Sequence, residues 1–284
     1  MDKIYLATYS FGFDSGLGML DKIRKAAEIG YSGVELSGGY EGRSAAEIRS
    51  VLEEAGIECI SSHVQLDDIE AELPFLKELG VRFAICPMHR IGCRDDALEL
   101  AARLNELGRK AAPYGIKVGY HNHTMEFWEE GGEYFLETLI KNTDPEDVVF
   151  QLDCGWASAA GIDPAEFINR YAGRFRTIHV KENGKVIGAD KPRPLAEGGS
   201  GNPKLKLDEN GKPIIPPEFL KMMEERQKTN CRMGQGIIDW KAVKAAADAQ
   251  GCVAYIVERE YSYNDPRDRI RCLIEDYQYL KNHI

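Results

Sequence analysis

The feature that most restricts this chain is a repeat of pattern. Eight times, a short β-rich apolar run is followed by a polar turn and an amphipathic stretch, several of which stop at Gly. The runs fall at 3–8, 33–36, 57–62, 81–86, 116–120, 148–152, 176–180 and 252–257. The stretches expected to be helical fall at 17–29, 45–55, 66–79, 95–114, 133–141, from Asp163-Pro164 onward, 239–249 and 266–280. Parallel strands need long crossovers, usually helices, so alternation of this kind indicates a parallel sheet. Eight units in 284 residues fit a closed (β/α)8 barrel, α/β in class, occupying 1–284 as a single domain. An open doubly wound sheet is the second choice. The first strand-to-helix loop, SFGFDSG, lacks the GxGxxG of a dinucleotide fold. One segment breaks the pattern: 182–235, an insertion after the seventh strand, with Pro192, Pro194, Pro203, Pro213, Pro216 and Pro217 and a helical stretch over 218–228. A loop this long is either a lid over the site or surface decoration and subunit contact.

In (β/α)8 enzymes the chemistry sits where strands end. Here those ends carry Glu35, His63, His89, the run His121-Asn122-His123 followed by Glu126, then Asp153, His179 with Lys181, and Glu258 with Glu260. Five of the six histidines lie at such ends, a distribution that scattered surface residues would not give. Strand alternation sends His121 and His123 to one face and Asn122 to the other. Carboxylates gathered with imidazoles suit a hard or borderline divalent cation, and a mixed O/N shell can leave positions open for substrate oxygens. Each residue taken alone has a plainer reading. Asp153 could cap the next turn, His179 could be a core histidine, and Glu258 and Glu260 could form a solvated end paired with Arg259.

Net charge is −10 with a pI near 5.2, which removes the basic footprint that nucleic-acid binding needs. Seven cysteines, an odd number without a CxxC pair, indicate reduced, buried thiols and a cytoplasmic protein. No apolar run approaches the roughly 20 residues of a membrane span, and MDKIYLATYS does not read as a signal peptide.

Five motifs, YHNHTMEF (120–127), LDCGW (152–156), IHVKE (178–182), GQGIIDW (234–240) and VERE (257–260), together resemble the sugar isomerase/epimerase superfamily of xylose-isomerase-like barrels. That group includes ketose 3-epimerases, inosose dehydratases, the zinc apurinic endonucleases and the metal subunit of C-glycoside-cleaving enzymes. The resemblance runs over essentially the whole chain and marks a superfamily more than a substrate. It implies one divalent ion, Mn²⁺ first and Mg²⁺, Co²⁺ or Zn²⁺ as alternatives, held by Glu126, Asp153, His179 and Glu258. At the fifth strand two residues compete. Several relatives carry a glutamate where His121 stands, so either His121 is the ligand or Glu126 reaches back from the loop, the latter preferred. Trp156 stands where many relatives have a histidine and is expected to form an apolar wall, and Gln235 occupies a place that is often Glu.

The implied activity is proton transfer beside a carbonyl, through an enediolate, on a sugar or polyol-derived ketose. Glu258 and His121 or His123 are the catalytic candidates, with Glu35, His63, His89, Asn122, Trp156 and Lys181 around the substrate. Loss of hydroxide from the same enediolate would make the protein a lyase, of the inosose-dehydratase or C-glycoside-cleaving kind. A non-catalytic sugar-binding protein is the third reading, and the acidic charge disfavours an endonuclease. Lys181, Lys185, Arg267 and Arg269 lie near a common phosphate position without a Gly-rich cradle, which favours a non-phosphorylated substrate. Family and insertion together allow a homo-oligomer.

Overall fold

Each of the eight apolar runs forms a strand, and the strands join in one closed parallel ring. The structure, a computed structural model, describes residues 3–12, 15–37, 39–192, 217, 227–260 and 268–284. The strands are β1 (Ile4–Ala7), β2 (Gly33–Leu36), β3 (Glu58–His63), β4 (Phe83–Cys86), β5 (Lys117–His121), β6 (Val148–Asp153), β7 (Phe175–Val180) and β8 (Ala254–Val257). Pairing of β8 with β1, Ile4 opposite Tyr255, closes the barrel. Around it lie α1 (Met19–Ile29), α2 (Ala45–Ala55), α3 (Ile69–Leu79), α4 (Arg94–Ala111), α5 (Phe135–Lys141), α6 (Cys154–Ala160), α7 (Pro164–Arg170), α8 (Trp240–Ala249) and α9 (Arg269–His283).

Local chemistry explains the boundaries. Ser44 opens α2 with a reciprocal capping box to Glu47. Along α4, Ala97, Leu100, Ala101, Leu104, Leu107 and Ala111 are buried at helical spacing against the barrel. The expected helix over 133–141 begins only at Phe135, because Glu133–Tyr134 first pairs with Glu129–Glu130 in a small hairpin. Helix α6 departs from the sequence expectation. Its residues Cys154 to Ala159 are all buried, so CGWASAA shows no polar face and no helical period. The expected helix over 218–228 falls largely outside the described residues, as do Pro194, Pro203, Pro213, Pro216 and Arg267.

Two cores stabilise the ring. One lies between strands and helices; the other fills the barrel with Tyr5, Ile60, Phe83, Ile85, Val149 and Ile256. Strands buried on both faces read as continuous apolar runs, as these do. Two register shifts interrupt the alternation. Between β2 and β3 the pairing passes from Val34–Cys59 to Glu35–Ser61, leaving Ile60 as an extra residue. Between β6 and β7 it passes from Phe150–Phe175 to Gln151–Thr177, leaving Arg176 extra. Such bulges re-aim the residues beyond them. Ile60 fills the interior while Ser61, its neighbour, also reaches inward to Glu35.

The insertion returns to the barrel through Glu182, just past β7. Its Oε2 accepts from Gly234 N and from the Trp240 indole, both at 2.8 Å. The IHVKE and GQGIIDW motifs therefore meet each other, and Glu182 ties the insertion's exit to the strand where it began. None of the seven cysteines is in a disulfide, and four of them are buried. No helix among the described residues is long and apolar enough to cross a membrane.

Candidate active site

At the carboxyl end of the ring, Glu35 is a buried hub. Its Oε1 accepts from His179 Nε2 at 2.7 Å and lies 3.0 Å from His63 Nε2. Its Oε2 accepts from Ser61 Oγ and Gln151 Nε2, both at 2.7 Å. Gln151 turns its carbonyl the other way, 3.0 Å from His63 Nε2 and 3.0 Å from His121 Nδ1. Five strands are thus stitched together beneath the site by one carboxylate and one amide. Burial works against a charged Glu35, yet the adjacent His63 and His179 hold its carboxyl well below the ordinary value.

Above this layer stand Asp153, His179 and Glu258, all buried, whose ligating atoms lie within 4.8 Å of one another. His179 Nδ1 is 3.1 Å from Glu258 Oε2 and 3.9 Å from Asp153 Oδ2. His121 Nε2 is 4.0 Å from the same Asp153 oxygen. Asp153 divides its carboxylate between two tasks. Oδ1 caps α6 by accepting from Trp156 N at 2.8 Å, whereas Oδ2 is buried with no hydrogen-bond partner among the described residues. Gly155 lets α6 start this close: a Cβ there would lie 2.7 Å from the Lys181 carbonyl oxygen.

Among the described residues Lys181 is the one ammonium inside the acid cluster, 2.6 Å from Glu260 Oε1, 3.2 Å from Glu258 Oε1 and 3.9 Å above the Trp156 ring. Burial pushes Asp153 up, to about 7, against the pull of Lys181. The same burial is outweighed at Glu258, where Lys181 and His179 hold the carboxyl well below its usual range. His121 is depressed well below the ordinary imidazole value by burial and by its neighbours His179 and His123.

The donor set fits a divalent ion. Two atoms each about 2.1 Å from one ion stand ~3.0–4.2 Å apart, depending on their angle. The 3.1, 3.9 and 4.0 Å separations here span that range, around an orphaned carboxylate oxygen. A second grouping, His63 with His121 and His179, fits less well, because nitrogens of all three rings are already engaged by Glu35 or Gln151.

Residues 23–283 match a family model described as xylose isomerase-like TIM barrel. The chain belongs to this family. Among curated relatives it is similar to an inosose dehydratase of Lacticaseibacillus casei, 35% identical over 31% of this chain and 29% of that one. An inosose dehydratase of Geobacillus kaustophilus is 28% identical over 56% of this chain and 60% of its own length. The chain therefore spans less than two thirds of both relatives. Among solved structures, a sugar phosphate isomerase/epimerase from Parabacteroides distasonis superposes with a TM-score of 0.75 at 23% identity, covering 99% of this chain and 94% of that one. That likeness is one of fold.

Within the xylose isomerase-like barrel, Asp153, His179 and Glu258 converge, and Glu35, His63, His121 and Lys181 surround them. Glu126 is placed elsewhere. It sits in a short 3₁₀ turn, Met125–Phe127, where its oxygens take Tyr120 Oη at 2.6 Å and His123 N at 2.8 Å. Both belong to the outer side of β5 and its loop, so of the two fifth-strand candidates it is His121 that faces Asp153. Asn122 also turns away from the interior and accepts from Asp153 N at 2.9 Å, a clamp on β6. His89 meets the Tyr120 hydroxyl through its backbone at 3.3 Å, on the Glu126 side. His123 lies between His121, which it meets edge-on, and the tilted ring of Trp156, with ring centres 5.0 and 5.8 Å away. Arg259 is not the partner of the flanking glutamates: its guanidinium binds buried Asp276 at 2.7 and 2.8 Å. Sequence reasoning missed Gln151, Ser61 and Thr177, ordinary polar residues inside apolar runs.

Proposed function

We propose that this chain is a divalent-cation-dependent isomerase or epimerase that moves a proton beside the carbonyl of a sugar or polyol-derived ketose, Mn²⁺ being the first candidate ion. The observation that carries this reading is the unpartnered, buried Asp153 Oδ2 facing His179, His121 and Glu258. Asp153, His179 and Glu258 would hold the ion, with His121 in the fifth-strand place that Glu126 was expected to fill. When bound, the cation would supply positive charge against the negative charge that develops on substrate oxygens. Glu258 keeps Oε1 directed to Lys181 and the mouth, where an ionised carboxylate can accept the substrate proton. His123, three strands round the ring, would return a proton from another side. Lys181 and Trp156 form the wall a sugar would meet, the ammonium gripping hydroxyls and the indole covering an apolar face. The substrate is proposed to be small, uncharged and unphosphorylated, since in the mouth the carboxylates of Glu182, Glu258 and Glu260 outnumber the cations of Lys181 and Arg259.

Metal analysis of the purified chain beside Asp153→Ala and His179→Ala tests the first half. About one divalent ion in the parent and none in either variant is expected. Incubation with ketoses and inososes in heavy water tests the second, with deuterium appearing beside the carbonyl by mass spectrometry. Similarity to inosose dehydratases favours a second reading, in which the abstracted proton is followed by loss of hydroxide. Product lighter by one water would establish that lyase. No metal and no exchange into any substrate would overturn both and leave a sugar-binding protein.

A further inference from the structure

Beneath the candidate cation site, the hydrogen-bond network contains only one consistent placement of protons. Glu35 is a carboxylate and can only accept. The Gln151 group 2.7 Å from Glu35 Oε2 must therefore be its NH₂, since a flipped amide would set oxygen against oxygen. Thr177 Oγ1, 3.2 Å from the same nitrogen, accepts its second proton in that orientation. The carbonyl oxygen of Gln151 then faces His121 Nδ1 at 3.0 Å, and an acceptor there requires a proton on Nδ1. His121 Nε2 is left without one, on the side of Asp153 Oδ2. The same logic applies to His179, whose Nε2 must carry the proton given to Glu35 Oε1.

We infer that Gln151, held by Glu35, is a positioning residue that fixes His121 as the Nδ1–H tautomer and so turns its unprotonated Nε2 toward Asp153, where a divalent ion would bind. Packing alone would tolerate either tautomer of a buried imidazole; only an oriented acceptor selects one. The two bulges make the network possible, because they bring Ser61 and Thr177 to the inner face beside Glu35 and Gln151. Partners that orient a metal-ligating histidine commonly change metal affinity 10–100-fold when removed. The inference rests on the cation reading for its purpose, and on the hydrogen-bond geometry alone for the tautomer.

The test separates these two. Long-range ¹H–¹⁵N correlation spectra of the metal-free protein report which nitrogen of His121 carries the proton. The parent is expected to show Nδ1–H, and Gln151→Met to show Nε2–H or a mixture. A near-UV circular dichroism spectrum of Gln151→Met matching that of the parent guards against misfolding of the variant. Calorimetric titration with Co²⁺ should then give about 10-fold or greater weakening in Gln151→Met. An Nε2–H parent, or a tautomer unchanged in Gln151→Met, overturns the inference whatever the metal result. The expected tautomers without any Co²⁺ uptake by the parent would support the positioning role and refute the cation reading instead.

Discussion

Replacing Glu126 by Gln distinguishes a buried structural carboxyl from a metal ligand. Glu126 is fully buried, and its two oxygens are taken by Tyr120 Oη at 2.6 Å and His123 N at 2.8 Å. Burial raises its carboxyl from 4.5 to about 7, against the opposing effect of those donors. The folded protein thus holds this proton more tightly than the unfolded chain. The stability this group contributes is complete below about pH 4 and is lost as pH rises through about 7. The displacement corresponds to about 3 kcal/mol at pH 9. Gln keeps the shape without the charge, and its NH₂ can donate to Tyr120 Oη while that hydroxyl donates to the His89 carbonyl. Exchanging the short bond costs ~1 kcal/mol. At pH 9, Glu126→Gln should therefore be more stable than the parent by about 2 kcal/mol, roughly 4–8 °C in Tm. At pH 5, where the parent is protonated, the variant should be equal or slightly less stable. Thermal melts at both pH values, with metal content measured on the same samples, decide the matter. A variant that loses its bound ion would return Glu126 to the ligand set, and one that melts below the parent at pH 9 would refute the burial argument.

Three further outcomes follow from the same geometry. Lys181→Met leaves Glu258 and Glu260 without their shared ammonium and should lower stability by about 3–5 kcal/mol, read as a fall in apparent Tm that excess Mn²⁺ partly reverses. Asn122→Ala strands the buried Asp153 N–H and should cost about 1–3 kcal/mol in denaturant melts, with weaker cation binding by titration calorimetry. Arg259→Met removes two guanidinium hydrogen bonds from the buried Asp276 carboxylate and should cost about 1.5–3 kcal/mol in denaturant melts. The double variant Arg259→Met/Asp276→Leu should recover most of that and keep its metal, since neither residue serves Glu258 or Glu260.

What could be read in the sequence was whatever depends on local period. Strands buried on both faces give apolar runs, and helices with one buried face give a 3.6-residue rhythm, so β2 and α2 appear over the residues expected. Helix α6, buried all round, has neither signal. Asp153, His179 and Glu258 were legible because a charged or imidazole side chain at the end of an apolar run is conspicuous. Asp153 also shows that the plain and the chemical readings need not compete: one oxygen caps α6 while the other faces the cluster.

Glu126 and Gln151 mark the opposite limits, and both for reasons of three-dimensional direction. Glu126 is eye-catching in YHNHTMEF, but strand alternation ends at His121, and the 3₁₀ turn that follows swings the carboxyl back onto Tyr120. Spacing along the chain carries no information about that rotation. Gln151 is inconspicuous in VVFQLD, yet it touches Glu35, 116 positions away, and His121, 30 positions away. Such contacts depend on which strands neighbour one another and on where a bulge shifts their register. Strict alternation from inward-facing Ile60 would send Ser62 in and His63 out. The extra residue in β3 reverses this, and His63 reaches Glu35. On β7 the extra Arg176 sets Thr177 opposite Gln151 and His179 opposite Asp153. The inward layer that holds the candidate ligands therefore depends on two insertions in register that leave the hydrophobic pattern of each strand almost unchanged. Polarity in a strand buried on both faces is the one trace they leave: Ser61, Gln151 and Thr177 would have no partners there unless several strands delivered them to the same point.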